Sequence, residues 1–283
     1  MPNASSRPAV PDLEALVEPV CAIARRAGAA ILPYYRTDLD IDRKDDHSPV
    51  TEADHAADAV IVPALEALTP DIPVVSEERL SSHRSAGADA DADTGANADG
   101  PFWLVDPLDG TREFINRRDE FTVNIALVAG ARPVFGVLGI PVRDVVYAGH
   151  AANGASGVSG AASRQAGDRP AEPVAVRAAP AAGIVVAASR SHDKWDELDD
   201  FLDGENVARR IIAGSALKFA LVAEGTADLY PRLGPTMEWD TAAGQAIVEA
   251  AGGSVRTLNG GPLIYGKAGW RNAGFVVRGR PAA

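Results

Sequence analysis

The second half of the chain alternates strand-like and helix-like segments, and this alternation limits the possible folds more than any other sequence feature. Short apolar runs predict strands, and the amphipathic or small-residue stretches between them predict helices. The predicted strands are 183–188, 207–212 and 227–231, and the predicted helices are 194–203, 215–224 and 239–251. Such alternation is typical of an α/β fold in which helices are layered on sheets. At 283 residues, the chain has room for one large domain or two closely packed halves.

The first half has a different order of elements. Helical patterns at 12–31 and 53–68 precede a first strand at 73–76. A buried strand at 102–105 follows, and then an antiparallel meander of strands at 121–128, 134–140 and 145–149. A segment rich in Ala, Asp, Gly and Ser lacks the bulky apolar residues that would order it, which predicts a mobile loop. The predicted divisions are a flexible tail over 1–11, an N-terminal half over 12–150 with the mobile loop at 81–100, a connecting loop region over 151–180, and a C-terminal α/β half over 181–283.

The charge balance excludes several classes of partner. The chain carries 27 Lys and Arg against 39 Asp and Glu, a formal net charge of −12. This field repels nucleic-acid backbones, so polymeric nucleic acid is not an expected partner. No stretch reaches membrane-spanning length and the N-terminus lacks the apolar core of a signal peptide, so we expect a cytoplasmic protein with no integral membrane segment. The single Cys21 lies in an apolar helical pattern, which favours a buried thiol over a nucleophile.

The segment 106–111, Asp-Pro-Leu-Asp-Gly-Thr, carries the strongest functional signal. It follows the buried strand predicted at 102–105 and precedes a short helix. A strand that ends in an Asp-Gly turn would explain the pattern without any function. Alternatively, two carboxylates and the carbonyl between them converge on cations, while the amides of Gly110 and Thr111 face a phosphate. Phosphatases that form a phospho-aspartate have one residue fewer between the two carboxylates, so we predict no phosphoenzyme.

Three further segments carry weaker signals. Trp-Asp-Thr-Ala-Ala-Gly at 239–244 opens a predicted helix, and Asp240 could simply cap that helix. The other two are the acidic stretch at 44–54 and Ser-Glu-Glu at 76–78. None of the three indicates a function alone.

Taken in chain order, the four segments resemble those of the magnesium-dependent, lithium-sensitive phosphomonoesterases. This superfamily contains inositol monophosphatase, fructose-1,6-bisphosphatase and the bisphosphate nucleotidases, and the resemblance extends from residue 12 to Val277. Five segments are similar to those of bacterial 3'(2'),5'-bisphosphate nucleotidases in particular: 106–114, 189–192, 214–219, 229–232 and 239–244. The resemblance implies a layered α/β/α/β/α sandwich of the inositol monophosphatase type, with the active site between the two halves.

The resemblance also implies a metal site and a pair of residues that orients the attacking water. Asp54 and Thr111 resemble that pair, with Glu77 nearby. Two or three Mg²⁺ ions and inhibition by Li⁺ are expected from the family. Oxygen donors suit Mg²⁺, whereas one Cys and five scattered His provide no soft-ligand cluster for zinc. The implied metal ligands are Glu77, Asp106, Asp109 and Asp240, with the carbonyl of Leu108.

Substrate contacts come from the same resemblance. Lys218 and Arg232 match positions that contact the second, non-scissile phosphate in nucleotidases of this superfamily. Without the resemblance, we would interpret Lys218 as a solvated helix charge, Arg232 as a surface ion-pair member and His192 as a helix cap. Arg112 stands where these nucleotidases usually carry Lys, which keeps the charge but changes the donor geometry. The implied substrate contacts are Glu77, Leu108, Asp109, Gly110, Thr111, His192, Ser215, Lys218, Arg232 and Asp240.

The resemblance therefore predicts an enzyme that hydrolyses the 3'-phosphate of adenosine 3',5'-bisphosphate to AMP and phosphate. A second implied substrate is 3'-phosphoadenylyl sulfate, which would place the enzyme in sulfur assimilation. The alternatives are an inositol- or sugar-phosphate phosphatase, which shares every metal ligand, and a non-catalytic nucleotide or metal sensor. Asp54, Asp109 and Thr111 together argue against the sensor. The family alone suggests peripheral attachment to the inner membrane, which no basic or amphipathic segment supports, and homo-oligomerisation is left open.

Overall fold

The computed structural model describes residues 8–36, 49–85, 100–152, 160–190 and 195–281. These residues form two large β-sheets with helices on their faces. The helices are α1 (Val17–Arg36), α2 (Pro49–Leu68), α3 (Glu77–Ser85), α4 (Thr111–Ile115), α5 (Trp195–Phe201), α6 (Leu217–Ala223) and α7 (Ala242–Ala250). The first sheet contains β1 (Val74–Ser76), β2 (Phe102–Asp109), β3 (Thr122–Ala129), β4 (Arg132–Ile140), β5 (Val145–His150), β6 (Ala161–Ala166) and β7 (Glu172–Pro173). The second contains β8 (Ile184–Ser189), β9 (Val207–Ala213), β10 (Leu229–Arg232), β12 (Ser254–Thr257) and β14 (Phe275–Arg278), and a separate ribbon pairs β11 (Thr236–Met237) with β13 (Arg271–Asn272).

The two sheets differ in topology as the sequence predicts. The first sheet keeps the strand order of the chain, with β1 parallel to β2 and all later neighbours antiparallel. The second sheet has the order β12-β14-β10-β8-β9, with β8 parallel to both of its neighbours. The parallel pairs follow from the strand-helix alternation, because a helix returns the chain to the same end of the sheet. The predicted meander and the predicted alternation are both confirmed.

Three buried apolar clusters lie between five layers, and the middle cluster covers both faces of the central helix layer. One cluster, with Ile31 and Trp103, lies between the first sheet and the helices α1 and α2. A second, with Leu104 and Ile247, lies between the two sheets around α6 and α7. A third, with Leu198, joins the second sheet to α5. The predicted layered α/β/α/β/α sandwich is therefore confirmed.

A glycine in β4 allows helix α7 to lie unusually close to the first sheet. A Cβ atom on Gly136 would be 2.5 Å from the carbonyl oxygen of Ala243. Real Cβ atoms do not approach backbone atoms that closely, so any side chain here would push the helix away. The close approach brings the N-terminal end of α7 against the sheet that carries the acidic segment 106–111.

Helix α1 extends further than its prediction, which ended at residue 31. It continues through Pro33 to Arg36, because the ring of Tyr35 packs on Phe114 and Phe121 at centroid distances of 5.2 and 4.8 Å. Proline is unfavourable inside a helix, so tertiary packing overrides the local preference of Pro33. Among the described residues, no helix has both the length and the apolar character needed to cross a membrane.

Cys21 lies in α1 and is half-buried. Burial raises the pKa of its thiol to about 11, although the charge of Arg25 acts in the opposite direction. The thiol is therefore protonated at neutral pH, which fits the expected packing role and not a nucleophile.

Both predicted loops are shorter than expected. Residues 81–85 are the last turns of α3, and residues 86–99 lie outside the described part of the chain, as does most of the predicted tail. The predicted connecting loop at 151–180 is wrong in part, because β6 and β7 extend the first sheet there. These two strands at the end of the sheet are mostly exposed or half-buried, so their sequence lacks the apolar alternation that marks a strand with one buried face.

Candidate active site

The sequence predicts that the acidic segment 106–111 follows a strand. The structure differs, because β2 continues into this segment and ends at Asp109. The pairing of β2 with β3 shifts register between Asp106 and Asp109. Residues three apart in a regular strand point to opposite faces, but a bulge with one extra residue reverses the later side chains. Leu108 accordingly packs in the same apolar cluster as Trp103, and both carboxylates line one cavity of about 300 Å³.

Gly110 makes the sharp turn from β2 into α4. Its φ of 95° lies in the left-handed region, and a Cβ atom would lie 3.1 Å from the Cβ of Ser215 and 3.2 Å from the Cα of Phe121. Glycine is the residue that meets both requirements. The turn places Thr111, the exposed first residue of α4, at the rim of the same cavity.

Glu77 reaches the cavity from the neighbouring strand. Because β1 is parallel to β2, with Ser76 paired to Val105, the residues that follow each pair lie at the same edge of the sheet. Glu77 is the first residue of α3 and therefore lies beside Asp106. The fully buried Ser76 donates a hydrogen bond to Asp58 of α2, which anchors the end of β1 to that helix.

Asp240 comes from the second half of the chain, in the turn between β11 and α7. Its Oδ2 accepts the backbone N–H of Met237 at 2.8 Å, and the residue before α7 is Thr241, so Asp240 does not cap the helix. One oxygen each from Glu77, Asp106 and Asp240 lies within 4.8 Å of the others. The two halves thus bring together three carboxylates that could hold a metal ion.

The electrostatics of these three carboxylates fit a hard divalent cation. Burial, and then the charges of neighbouring carboxylates, raise the pKa of Asp106 and of Asp240 well above the ordinary range. The same causes raise the pKa of Glu77 to about 7. A cation among them would offset both the desolvation and the mutual repulsion, and carboxylate oxygens are the ligands that Mg²⁺ and Ca²⁺ prefer.

Asp109 lies in the cavity wall, but its environment differs. Its Oδ2 accepts the backbone N–H of Ala216 at 2.5 Å, and donors on Thr122 and Asn124 lie 3.4 Å from the same oxygen. Burial raises the pKa of Asp109, while the charge of Lys218 acts to lower it. Its carboxylate is not in the group within 4.8 Å, so the structure brings three of the four predicted carboxylate ligands together and places the fourth beside them.

Asp54 lies on α2 behind this group and does not line the cavity. Burial, followed by the charges of Glu77 and Glu78, raises the pKa of Asp54 to about 8. Its Oδ1 is buried and accepts no hydrogen bond from the described protein groups. A buried acceptor without a donor is unfavourable, so this oxygen is suited to receive a hydrogen bond from a water at the site.

Lys218 and Arg232 line the cavity and are buried, which contradicts the alternative interpretation of both as surface charges. The Nζ of Lys218 donates to the carbonyl oxygens of Ala213 and Ser215 at 3.2 and 2.6 Å. One Nη of Arg232 donates to the carbonyl of Pro235 at 3.2 Å, while its buried Nε has no protein acceptor among the described residues. Two cations therefore face the acidic group across one cavity.

Of the remaining predicted substrate contacts, Ser215 and Leu108 lie at the cavity. Ser215 lines the cavity in a left-handed conformation, with a φ of 46°. The side chain of Leu108 belongs to the apolar core, which leaves its backbone at the cavity. His192 lies outside the described residues.

Several cavity residues were not predicted. Phe219, Tyr230 and Phe275 form an aromatic wall with ring centroids 5.4 to 5.6 Å apart. The amide of Ala216 was also missed, because backbone groups carry no sequence signal. The run 214–219 is similar to that of the nucleotidases, but the similarity does not identify this amide as a contact.

Comparison with known proteins identifies similar sequences and structures. The family model for the inositol monophosphatase family matches residues 12–276. The 3'(2'),5'-bisphosphate nucleotidase CysQ of Salmonella typhimurium is 45% identical over 93% of this chain and 99% of that protein. The CysQ of Escherichia coli strain K12 is 43% identical with the same coverage.

Two solved structures share the fold over nearly the whole chain. CysQ from Bacteroides thetaiotaomicron, described as a bacterial member of the inositol monophosphatase family, has a TM-score of 0.74 and 37% identity over 93% of this chain and 97% of that one. An inositol monophosphatase from Zymomonas mobilis has a TM-score of 0.74 and 26% identity over 96% of this chain and 95% of that one.

Proposed function

The chain belongs to the inositol monophosphatase family, and we propose that it is a magnesium-dependent 3'(2'),5'-bisphosphate nucleotidase. Its substrate would be adenosine 3',5'-bisphosphate, hydrolysed at the 3'-phosphate to AMP and phosphate. The observation that carries this proposal is one cavity in which carboxylates from both halves face Lys218 and Arg232. The CysQ relatives, at 43 and 45% identity, support the choice of substrate. We also propose 3'-phosphoadenylyl sulfate as a second substrate, sulfur assimilation as the context and the cytoplasm as the location.

The proposed metal ligands are the carboxylates of Glu77, Asp106, Asp109 and Asp240 with the carbonyl of Leu108. Bound there, Mg²⁺ would neutralise charge on the phosphoryl group and favour ionisation of the attacking water. The protein itself supplies the geometry, because the bulge in β2 and the parallel pairing of β1 set Glu77, Asp106 and Asp109 in place before any ligand arrives. Sensitivity to Li⁺ and occupancy by two or three ions are part of the same proposal.

Asp54 and Thr111 are the proposed pair that orients the attacking water. The unpartnered Oδ1 of Asp54 can accept one of its protons, and the exposed hydroxyl of Thr111 can hydrogen-bond its oxygen. With a water held in line with phosphorus, phosphoryl transfer needs alignment and charge neutralisation but no covalent nucleophile. No phosphoenzyme is formed in this scheme.

Lys218 and Arg232 are the proposed contacts for the phosphate that is not cleaved. Both are buried beside the cavity and away from bulk solvent, and charge-assisted hydrogen bonds to phosphate are strong in such surroundings. The aromatic wall of Phe219, Tyr230 and Phe275 backs this end of the cavity. A bisphosphate offers these two cations a second phosphate to bind, whereas a monophosphate does not, which favours a bisphosphate.

The test is phosphate release by the purified protein from adenosine 3',5'-bisphosphate, 3'-phosphoadenylyl sulfate and inositol 1-phosphate, with Mg²⁺ or with EDTA. We expect Mg²⁺-dependent release from both nucleotides and little from inositol 1-phosphate. A preference for inositol or sugar phosphates would support the phosphatase with that specificity instead. Binding of the nucleotide without turnover of any substrate would support a non-catalytic sensor.

A further inference from the structure

Glu238 is a fully buried carboxylate that the mechanism above does not use. Its oxygens accept the backbone N–H groups of Gly266 and Lys267 at 2.6 and 3.1 Å. The ammonium of Lys267 lies 2.5 Å from Glu238 Oε1 and also donates to the Oδ1 of Asn272 at 2.9 Å. A buried carboxylate is costly unless it is paired and hydrogen-bonded, and Glu238 meets both conditions.

These contacts join the segment 264–272 to the turn that carries Asp240. The N–H of Glu238 donates to the carbonyl of Trp270 at 2.8 Å, and Asn272 donates to the hydroxyl of Thr241 at 2.9 Å. Met237 pairs with Arg271 in the ribbon of β11 and β13. The turn is therefore held on both sides of Asp240 by the same segment.

The position of the Asp240 carboxylate depends on this arrangement. Its Oδ2 accepts the N–H of Met237, and Met237 is placed by the ribbon that the Glu238–Lys267 pair holds against the turn. Asp240 is the one member of the carboxylate group that comes from the second half of the chain, so its distance to Glu77 and Asp106 is set by tertiary contacts alone. Partners behind a metal ligand typically change metal affinity by about 10- to 100-fold when they are lost.

We propose that Glu238 and Lys267 are positioning residues that hold Asp240 in the carboxylate group and thereby tune the affinity of the site for divalent cations. Neither side chain lines the cavity. Both act through the 264–272 segment. The proposal rests on the metal site proposed above, and it requires no particular substrate.

The experiment measures the Mg²⁺ dissociation constant by titration calorimetry and the free energy of unfolding by urea denaturation, with Mg²⁺ alone as the probe. The variants are Glu238→Gln, Lys267→Met and Lys267→Arg. Asp228→Asn is the matched control, because Asp228 is also buried and holds a bidentate pair with Arg177, at 2.7 Å for each bond, but it does not line the cavity. We expect Glu238→Gln to weaken Mg²⁺ binding by about tenfold or more, Lys267→Met to weaken it several-fold, and Lys267→Arg to retain most of the affinity.

The control should lose stability and keep the Mg²⁺ affinity of the parent protein. The proposal is overturned if Glu238→Gln and Lys267→Met bind Mg²⁺ within twofold of the parent while their unfolding free energies fall as in the control. If Glu238→Gln does not fold, the half-exposed Lys267 still decides the question through its Met and Arg variants. A parent protein that binds no Mg²⁺ would instead refute the proposed metal site, so the two failures are distinguishable.

Discussion

Metal-free Asp240→Asn protein should be more stable than the parent protein, although the substitution removes a proposed metal ligand. One oxygen of Asp240 lies within 4.8 Å of an oxygen of Glu77 and of Asp106, and burial with the neighbouring charges raises its pKa well above the ordinary range. The Asn side chain has the same shape, and its oxygen can still accept the N–H of Met237. The change therefore removes a negative charge and little else.

The expected gain follows from the spacing of the group. Two negative charges 4.8 Å apart repel by about 3 kcal/mol at an effective dielectric constant of about 20. Asp240 takes part in two of the three pairs that three carboxylates form, but proton uptake relieves part of the repulsion in the parent protein. We expect a net gain of about 1–3 kcal/mol at pH 8, or about 2–6 °C in Tm for a chain of this size.

The sign of the pH dependence follows from the raised pKa values. The folded parent protein retains protons that the unfolded chain loses near pH 4, so its metal-free stability falls as pH rises. The fall extends through about pH 7, where Glu77 ionises in the folded protein. The advantage of Asp240→Asn should therefore be small at pH 5 and larger at pH 8.

Thermal unfolding in EDTA and in Mg²⁺ at both pH values checks this prediction. Mg²⁺ at about 100 times its dissociation constant should stabilise the parent by about 2.7 kcal/mol and the variant by less, so that the Tm advantage of the variant at pH 8 shrinks or reverses. The control is Asp228→Asn. Burial acts to raise the pKa of Asp228, but the hydrogen bonds from Arg177 and from the N–H of Val185 outweigh burial, so the pKa of Asp228 is lowered. Its charged form therefore stabilises the fold, and Asp228→Asn should lower Tm with or without metal. A metal-free Asp240→Asn protein that melts below the parent at pH 8 would refute the repulsion argument.

Three further predictions concern substrate, catalysis and packing. Lys218→Met should lower kcat/KM for adenosine 3',5'-bisphosphate about tenfold more than for a monophosphate, because a buried charged hydrogen bond to the second phosphate is lost; equal losses in steady-state assays would contradict a second-phosphate site. Asp54→Asn should lower kcat by about 10²- to 10⁴-fold, while its Mg²⁺ affinity, measured by calorimetry, stays within a few-fold of the parent. A loss of Mg²⁺ affinity as large as the loss of kcat would instead make Asp54 a metal ligand. Gly136→Ala should lower the free energy of unfolding, measured by urea denaturation, by about 1–3 kcal/mol, because the new Cβ would lie 2.5 Å from the carbonyl oxygen of Ala243. Gly234→Ala is the control and should be nearly neutral, because a Cβ there would have no neighbouring atom within 4 Å.

Local patterns were enough to predict most of the helices and strands, whereas the five-layer sandwich was implied by the resemblance. The strand-helix alternation after residue 183 and the meander after Phe102 both appear in the structure, because a strand or helix with a buried face shows that face in its own residue spacing. The predictions failed where packing acts against the local pattern. Helix α1 passes through Pro33 because Tyr35 packs on two aromatic rings. Strand β6, which lies next to the edge strand β7, is mostly half-buried and shows no apolar alternation.

Four separate acidic segments could be recognised in the sequence, but residue types alone do not say where their side chains point. The register shift in β2 puts Asp109 on the same face as Asp106, and pairing between strands, not composition, decides such a shift. The bond from the Ala216 amide to Asp109 joins residues 107 positions apart. Lys218, which its helix alone would leave as a solvated charge, is buried in the cavity wall, where its ammonium lies 5.1 Å from the centre of the Tyr230 ring and near the charge of Asp109. Sequence spacing reports the near neighbours of a residue, whereas the contacts that shape this cavity join distant segments and exist only when both sheets are packed together.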